Sequence, residues 1–173
     1  MIATVTRNRA AHILSDGTVD PDWNPDLNNN VLSIVVTESY IYLGGLFTAI
    51  NGGTTKNRIA RVNTTNGTVD TGWNPDANGN VNTIVVDGSD IYAGGTFTTV
   101  NAGITRNRLA KFNNTDGTVD ATWDPNANNL INSIAVTSDA VYAGGTFTTV
   151  NGGTTRNRLV KLNQTNGNAD GVW

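Results

Sequence analysis

The sequence predicts an all-β fold built from a 50-residue repeat, and three observations carry that expectation. The first is recurrence: IYLGGLFTAINGG (41–53), IYAGGTFTTVNAG (91–103) and VYAGGTFTTVNGG (141–153) are the same phrase, and Trp23, Trp73, Trp123 and Trp173 keep the same step. The second is composition. Asparagine and threonine each occur 26 times, and Glu38 is the one glutamate. Threonine suits pleated strands, while asparagine and glycine suit tight turns. The third is pattern: no window sustains a 3.6-residue apolar period, whereas short apolar runs bounded by Gly, Asn and Pro follow one another.

The elements of one copy can be justified in order. NRIARVN (57–63) reads as a short strand with Ile59, Ala60 and Val62 as its apolar members. TTNG (64–67) turns it, since an Asn-Gly pair between strand-like runs marks a hairpin. TVDTGW (68–73) is the return strand, and NPDANGN (74–80) is a loop in which Pro75 stops strand pairing. VNTIVV (81–86) opens a second hairpin, DGSD (87–90) turns it, and IYAGGTFTTV (91–100) returns. NAGIT (101–105) leads into the next copy. Four short antiparallel strands in a unit of this length are the pattern of a β-propeller blade, which buries its apolar faces against neighbouring blades. A β-solenoid is the alternative architecture, but its coils are shorter and lack paired hairpin turns.

Gly94-Gly95 after a strand-like run could be read as a phosphate-binding loop. The pair recurs as Gly44-Gly45 and Gly144-Gly145, however, and a unit present three times belongs to an architecture. There it would admit a neighbouring backbone or ring, or form a bulge. Phe47, Phe97 and Phe147, with Tyr42, Tyr92 and Tyr142 and the tryptophans, are the large rings available to fill the gaps between blades.

The segment NGNVNTIVVDGSDIYAGGTFTTVNAGITRNRLAKFNNTDGTVDATWDP (78–125) closely resembles the delta-60 repeat, and is distantly similar to the kelch repeat. The shared elements are a hydrophobic strand, an acidic-glycine turn, a hydrophobic-x-G-G-x-F strand, an R-N-R-hydrophobic-A strand, and D-G-x-hydrophobic-D leading to an aromatic. The resemblance runs from Arg7 to Trp173. It implies a propeller-like fold in large secreted or surface proteins, chiefly bacterial, hence an extracellular or cell-surface location. It implies no activity and no catalytic residue.

Counting hairpins divides the chain into a half-blade at 7–23 and repeats at about 24–73, 74–123 and 124–173. That makes about three and a half blades, so an incomplete propeller or part of a longer array is expected. Its partner is then itself or the remainder of a longer propeller chain. Two copies do not complete a regular ring, because one hairpin type occurs four times per chain and the other three. That leaves pairing of unlike hairpins at the joint, or a heterologous contact that propagates into a filament.

Composition narrows the function. The net charge of −3 offers no basic surface for nucleic acid, and no stretch is apolar for long enough to insert in a membrane. There is no cysteine and a single histidine, His12, which stands where Arg61, Lys111 and Lys161 stand in the other copies. A metal site of His and Cys or a Ser-His-Asp triad within one chain is therefore not expected, and neither is a cofactor or an enzymatic role. The turns NTTNGTVD (63–70) and NNTDGTVD (113–120) cluster oxygen side chains that calcium could take, but hairpin turns explain the same residues.

The four tryptophans either lock one blade to the next or present stacking platforms for glycan rings, and their exposure discriminates the two. Arg58, Arg108 and Arg158, each the second basic residue of the R-N-R phrase, recur with Asp70, Asp120 and Asp170. They are expected to tie blades together through carboxylates or loop carbonyls, with an anion site as the alternative. Asn63, Asn66, Asn113 and Asn163 sit in N-x-T sequons, which chance explains in so Asn- and Thr-rich a chain. The function expected is a non-enzymatic structural or binding module that works by self-assembly or partner binding, with a glycan-binding lectin as the alternative.

Overall fold

The computed structural model describes residues 6–173, and no helix occurs among them. The first complete blade comprises β1 (Val31–Val36), β2 (Tyr40–Gly45), β3 (Ala49–Ile50), β4 (Thr54–Thr55) and β5 (Ile59–Asn63). The second comprises β6 (Val81–Asp87), β7 (Asp90–Gly95), β8 (Thr99–Val100), β9 (Ile104–Thr105) and β10 (Leu109–Asn113). The third comprises β11 (Ile131–Val136), β12 (Ala140–Gly145), β13 (Thr149–Val150), β14 (Thr154–Thr155) and β15 (Leu159–Asn163). In each blade the first, second and fifth strands form one antiparallel sheet, β1-β2-β5, β6-β7-β10 and β11-β12-β15. A leading hairpin, bridged at Ile13 and Val19, precedes the first blade.

Two predicted strands differ from those found. The return strand at 68–73 shrinks to a single bridge, Val62 to Val69, with Phe112–Val119 and Leu162–Ala169 as its counterparts. Side chains take the amides that a ladder would need. Asn51 Oδ1 accepts from Val69 N at 2.6 Å, and Asp70 Oδ1 accepts from Gly72 N at 2.9 Å. The predicted run at 91–100 is likewise cut in two after Gly95. Asn78 Oδ1 accepts from Thr98 N at 2.8 Å and Thr99 N at 3.0 Å, drawing the chain out of the sheet into the β8–β9 ribbon.

The glycine pair has two distinct jobs. A Cβ on Gly95 would lie 1.9 Å from Asn80 O, where the β6–β7 register slips between Val81 and Thr83. The second glycine thus permits a bulge. A Cβ on Gly94 would instead lie 2.5 Å from Ile131 Cγ2 of the next blade, so the first glycine permits close stacking.

Blades stack in chain order, β6 against β1 and β2, and β11 against β6 and β7. Each joint holds its own apolar cluster. Ala10, Trp23 and Leu27 pack on Leu43, Phe47, Ala60 and Val62, while Tyr42 and Trp73 pack on Val81, Ile84 and Phe112. Tyr92 and Trp123 pack on Ile131, Ile134 and Leu162. The core is therefore distributed between blades, as repeat architectures require.

Candidate functional site: the joints between blades

The residues with chemistry to offer meet at the outer half of each joint. Arg61, on β5 between buried Ala60 and Val62, is itself almost wholly buried and needs partners for its charge. Its Nε and Nη2 both donate to Asp70 Oδ2, at 2.9 and 2.7 Å. Its Nη1 donates to Asn114 O and its Nη2 to Thr115 O at 3.1 Å, both on the following blade. The guanidinium also lies 4.2 Å over the Tyr40 ring. Tyr42 completes the joint by donating its hydroxyl to Asn114 Oδ1.

Lys111 repeats this arrangement one blade later. Its Nζ lies 2.7 Å from Asp120 Oδ2 and 3.6 Å from Asp90 Oδ2, and donates to Gln164 O at 3.3 Å on the third blade. Burial works to raise the Asp120 pKa, but the Lys111 ammonium and the amide and hydroxyl of Thr122 outweigh it and bring it to about 2. Asp70 is lowered in the same way, burial being outweighed by Arg61 and the Gly72 and Trp73 amides. Burial raises the Tyr92 hydroxyl far above its ordinary value, and the charges of Asp90 and Asp87 add to that.

The tryptophans lie beside these pairs. Trp73 and Trp123 are fully buried, and their Nε1 atoms donate across the joint to Asn113 O at 3.2 Å and Asn163 O at 3.0 Å. Each meets a tyrosine of its own blade edge-on, Tyr42 at 5.4 Å and Tyr92 at 5.3 Å. Trp23 is buried as well, so these three rings present no face to a sugar. Trp173 lies edge-on to Tyr142 at 5.5 Å and is 50% exposed.

The R-N-R phrase does a different job from the one expected of it. Arg58, Arg108 and Arg158 have φ of 64°, 67° and 71°, and this left-handed backbone turns each side chain back on its own blade. Their Nη1 atoms donate to Leu46 O, Thr96 O and Thr146 O, loop carbonyls twelve residues upstream. Lys56 and Arg106, the first basic residues of the phrase, also donate to carbonyls of their own blade, those of Thr71 and Trp73 and those of Asp120 and Ala121. Arg61 and Lys111 carry the basic side chains' bonds to the turn of the following blade, balanced by Asp70 and Asp120. The R-N-R phrase reaches the next repeat through its asparagines, Asn57 to Asp76 and Asn107 to Asn126 at 2.7 Å each, and through Arg106 at 3.9 Å from Asp124. The available signal was a basic residue placed between buried apolar neighbours on a short strand. Gly44 and Gly94 face the next blade, Gly45, Gly95 and Gly145 serve the bulge of their own blade, Gly144 stands open, and Phe47, Phe97 and Phe147 are all buried.

The oxygen-rich turns are committed to their own backbone. Asp116 Oδ1 accepts from Thr118 N at 2.9 Å and Thr118 Oγ1 at 2.7 Å, and Asn66 Oδ1 from Thr68 N at 3.0 Å. Among the described residues, no group of three or more His, Cys, Asp or Glu side chains is placed to hold a metal ion.

An open cleft of about 860 Å³ lies over the joint of the first two blades, lined by Glu38, Tyr40, Tyr42, Arg61, Val86 and Asn114. Smaller clefts of about 450, 390 and 410 Å³ recur on another part of each joint, around Arg9, Arg58 and Arg108. In the largest of these, Arg61, Tyr42 and Asn114 already bond one another or Asp70 in holding the joint.

No curated protein matches the sequence. A family model does match, over residues 41–72, 82–122 and 140–171, and these segments fall on the three complete blades. The chain belongs to the family described as a domain of unknown function (DUF5122) β-propeller.

Proposed function

We propose that the chain is a non-enzymatic structural and binding module that associates through its blade faces, as part of an extracellular or cell-surface protein. One observation carries this reading. Ile34 on β1 is 54% exposed, whereas its equivalent Ile84 on β6 is 4% exposed. Leu32 and Val36 are exposed beside it, so the inner strand of the first blade presents a contiguous apolar face. Patches of that kind mark interaction surfaces. The third blade ends in a second such face, around Leu159, Val172 and Trp173. The setting outside the cell rests on the delta-60 resemblance, which is finer than the family match.

The glycan-binding reading has less support. Three of its four candidate rings are packed between blades, which leaves Trp173 alone to offer a stacking face. Light scattering after size exclusion tests the association reading. We expect a species heavier than the 18.3 kDa chain at micromolar concentration. A monodisperse monomer at every concentration would overturn it.

A further inference from the structure

The two ends of the stack carry the two halves of an internal joint. At the internal joints every blade offers the same surface on one side: a tyrosine, the first glycine of the pair, a basic residue on the fifth strand and a tryptophan. The following blade answers with an apolar inner strand and the carbonyls of a turn. The third blade carries the full offering surface, with Tyr142, Gly144, Lys161 and Trp173. At Gly144 it stands open, the nearest atom to an added Cβ being Arg158 O at 3.8 Å. The first blade carries the full answering surface, but only its outer half is covered, by the leading hairpin.

That hairpin holds the first blade through Asn8 to Asp26 at 2.6 Å and Arg9 to Asn30 at 3.2 Å, but it lacks two ties that the other outer hairpins make. Trp73 and Trp123 donate across their joints, whereas the buried Nε1 of Trp23 has no partner among the described residues. Arg61 and Lys111 reach across to the next turn, whereas His12, at their position, bonds Asp20 of its own hairpin at 2.8 Å. The hairpin also leaves Ile34, Leu32 and Val36 bare. A complete third blade from a second copy would supply a tryptophan and a lysine in the same seat and cover those residues too.

We propose that two copies of this chain close one ring, the third blade of each seating on the first blade of the other and displacing its leading hairpin. The count then resolves: with both leading hairpins expelled, two chains of three complete blades give six. Six lies within the four to eight blades of closed propellers. The contact is heterologous but closes under a two-fold axis. This inference rests on the association reading above and adds to it the surfaces, the stoichiometry and the exchange.

The chain has no cysteine, so a pair can be introduced cleanly. Ser33 Oγ accepts from Ile84 N at 3.0 Å across the first joint, so the equivalent positions 133 and 34, both exposed in the single chain, come within disulfide reach across the proposed joint. The full chain carrying Ser133→Cys with Ile34→Cys, oxidised with diamide, is expected to run as a covalent dimer on denaturing gels, with each single variant staying monomeric. Light scattering is expected to give twice 18.3 kDa for the unaltered chain. Trp23→Ala, which loosens the competing hairpin, should lower the dimer dissociation constant by about tenfold, or about 1.4 kcal/mol. Trp173→Ala should raise it. A dimer that forms without the 34–133 cross-link, or that Trp23→Ala weakens or leaves unchanged, refutes the exchange and leaves the association reading standing. A heavier open polymer refutes ring closure, and a monomer throughout refutes both.

Discussion

Gly94 and Gly144 stand at the same position of consecutive blades, in the same Tyr-Ala-Gly-Gly context. A methyl group on Gly94 would meet Ile131 Cγ2 at 2.5 Å, whereas one on Gly144 would find nothing closer than 3.8 Å. The same contrast separates Trp123, fully buried, from Trp173, and Lys111, which reaches the next blade, from Lys161, which pairs only with Asp170. Nearly identical sequence thus does different physical work according to whether a blade follows. The value of a residue in this fold lies in the joint and not in the strand, which follows from blades that each bury their apolar face only against a neighbour.

The largest test of that contrast is the tryptophan pair. In the isolated monomeric chain, Trp123→Ala should cost about 3–5 kcal/mol in urea unfolding, as expected for emptying a buried aromatic site. Trp173→Ala should cost less than about 1 kcal/mol under the same conditions. Equal losses would break the comparison, because they would show the last joint already closed within one chain. The glycine pair comes next. Gly94→Val should cost about 1–3 kcal/mol or more through overpacking against β11. Gly144→Val should change the stability of the monomer by no more than about 0.5 kcal/mol. The same variant should abolish the six-bladed dimer, which sharpens the comparison, since one substitution would be silent in the fold and decisive in the assembly.

How far the sequence was legible follows the same division. The hairpin at 81–95 was readable because β-branched runs flank an Asp-Gly turn, and every determinant is local. The β8–β9 ribbon was not. Thr98-Thr99-Val100 continues a strand by propensity, and what removes it from the sheet is Asn78, some twenty residues upstream. The role of Arg61 is hidden for a similar reason, since its strand shows only a basic residue between Ala60 and Val62 and its partner Asn114 lies 53 residues away. The abundance of asparagine points to turn chemistry, and Asn63, Asn66 and Asn113 do serve turns. Asn51, Asn101 and Asn151 instead bracket a neighbouring segment, each accepting from the amide at 69, 119 or 169 and donating to the carbonyl of Gly67, Gly117 or Gly167. A step of fifty residues announces one tryptophan per copy, but which way its ring faces depends on the next copy.

The smallest effect separates the two lysines by pH. Asp120 is held at about 2 in the folded chain, below its ordinary 3.8, by Lys111 and Thr122. A carboxylate with a depressed folded pKa contributes stability in full above its unfolded pKa and loses it as the pH falls through the folded value. The window here therefore runs from about pH 4 down to about pH 2. Replacing Lys111 with Met removes the cation facing Asp120 and Asp90, together with the bond to Gln164 O. The stability gap between the unaltered chain and Lys111→Met should be constant above about pH 5 and narrow as Asp120 protonates. Part of the gap should survive at pH 2, because the bond to the Gln164 carbonyl does not titrate. Lys161→Met should show a smaller gap that closes almost completely over the same range, since Lys161 pairs with Asp170, with a weaker attraction from Asp139, and bonds no further blade. Urea midpoints measured from pH 7 to pH 2 distinguish the cases. A surviving gap of equal size for both lysines would mean that the tie across the joint contributes nothing beyond the ion pair within the blade.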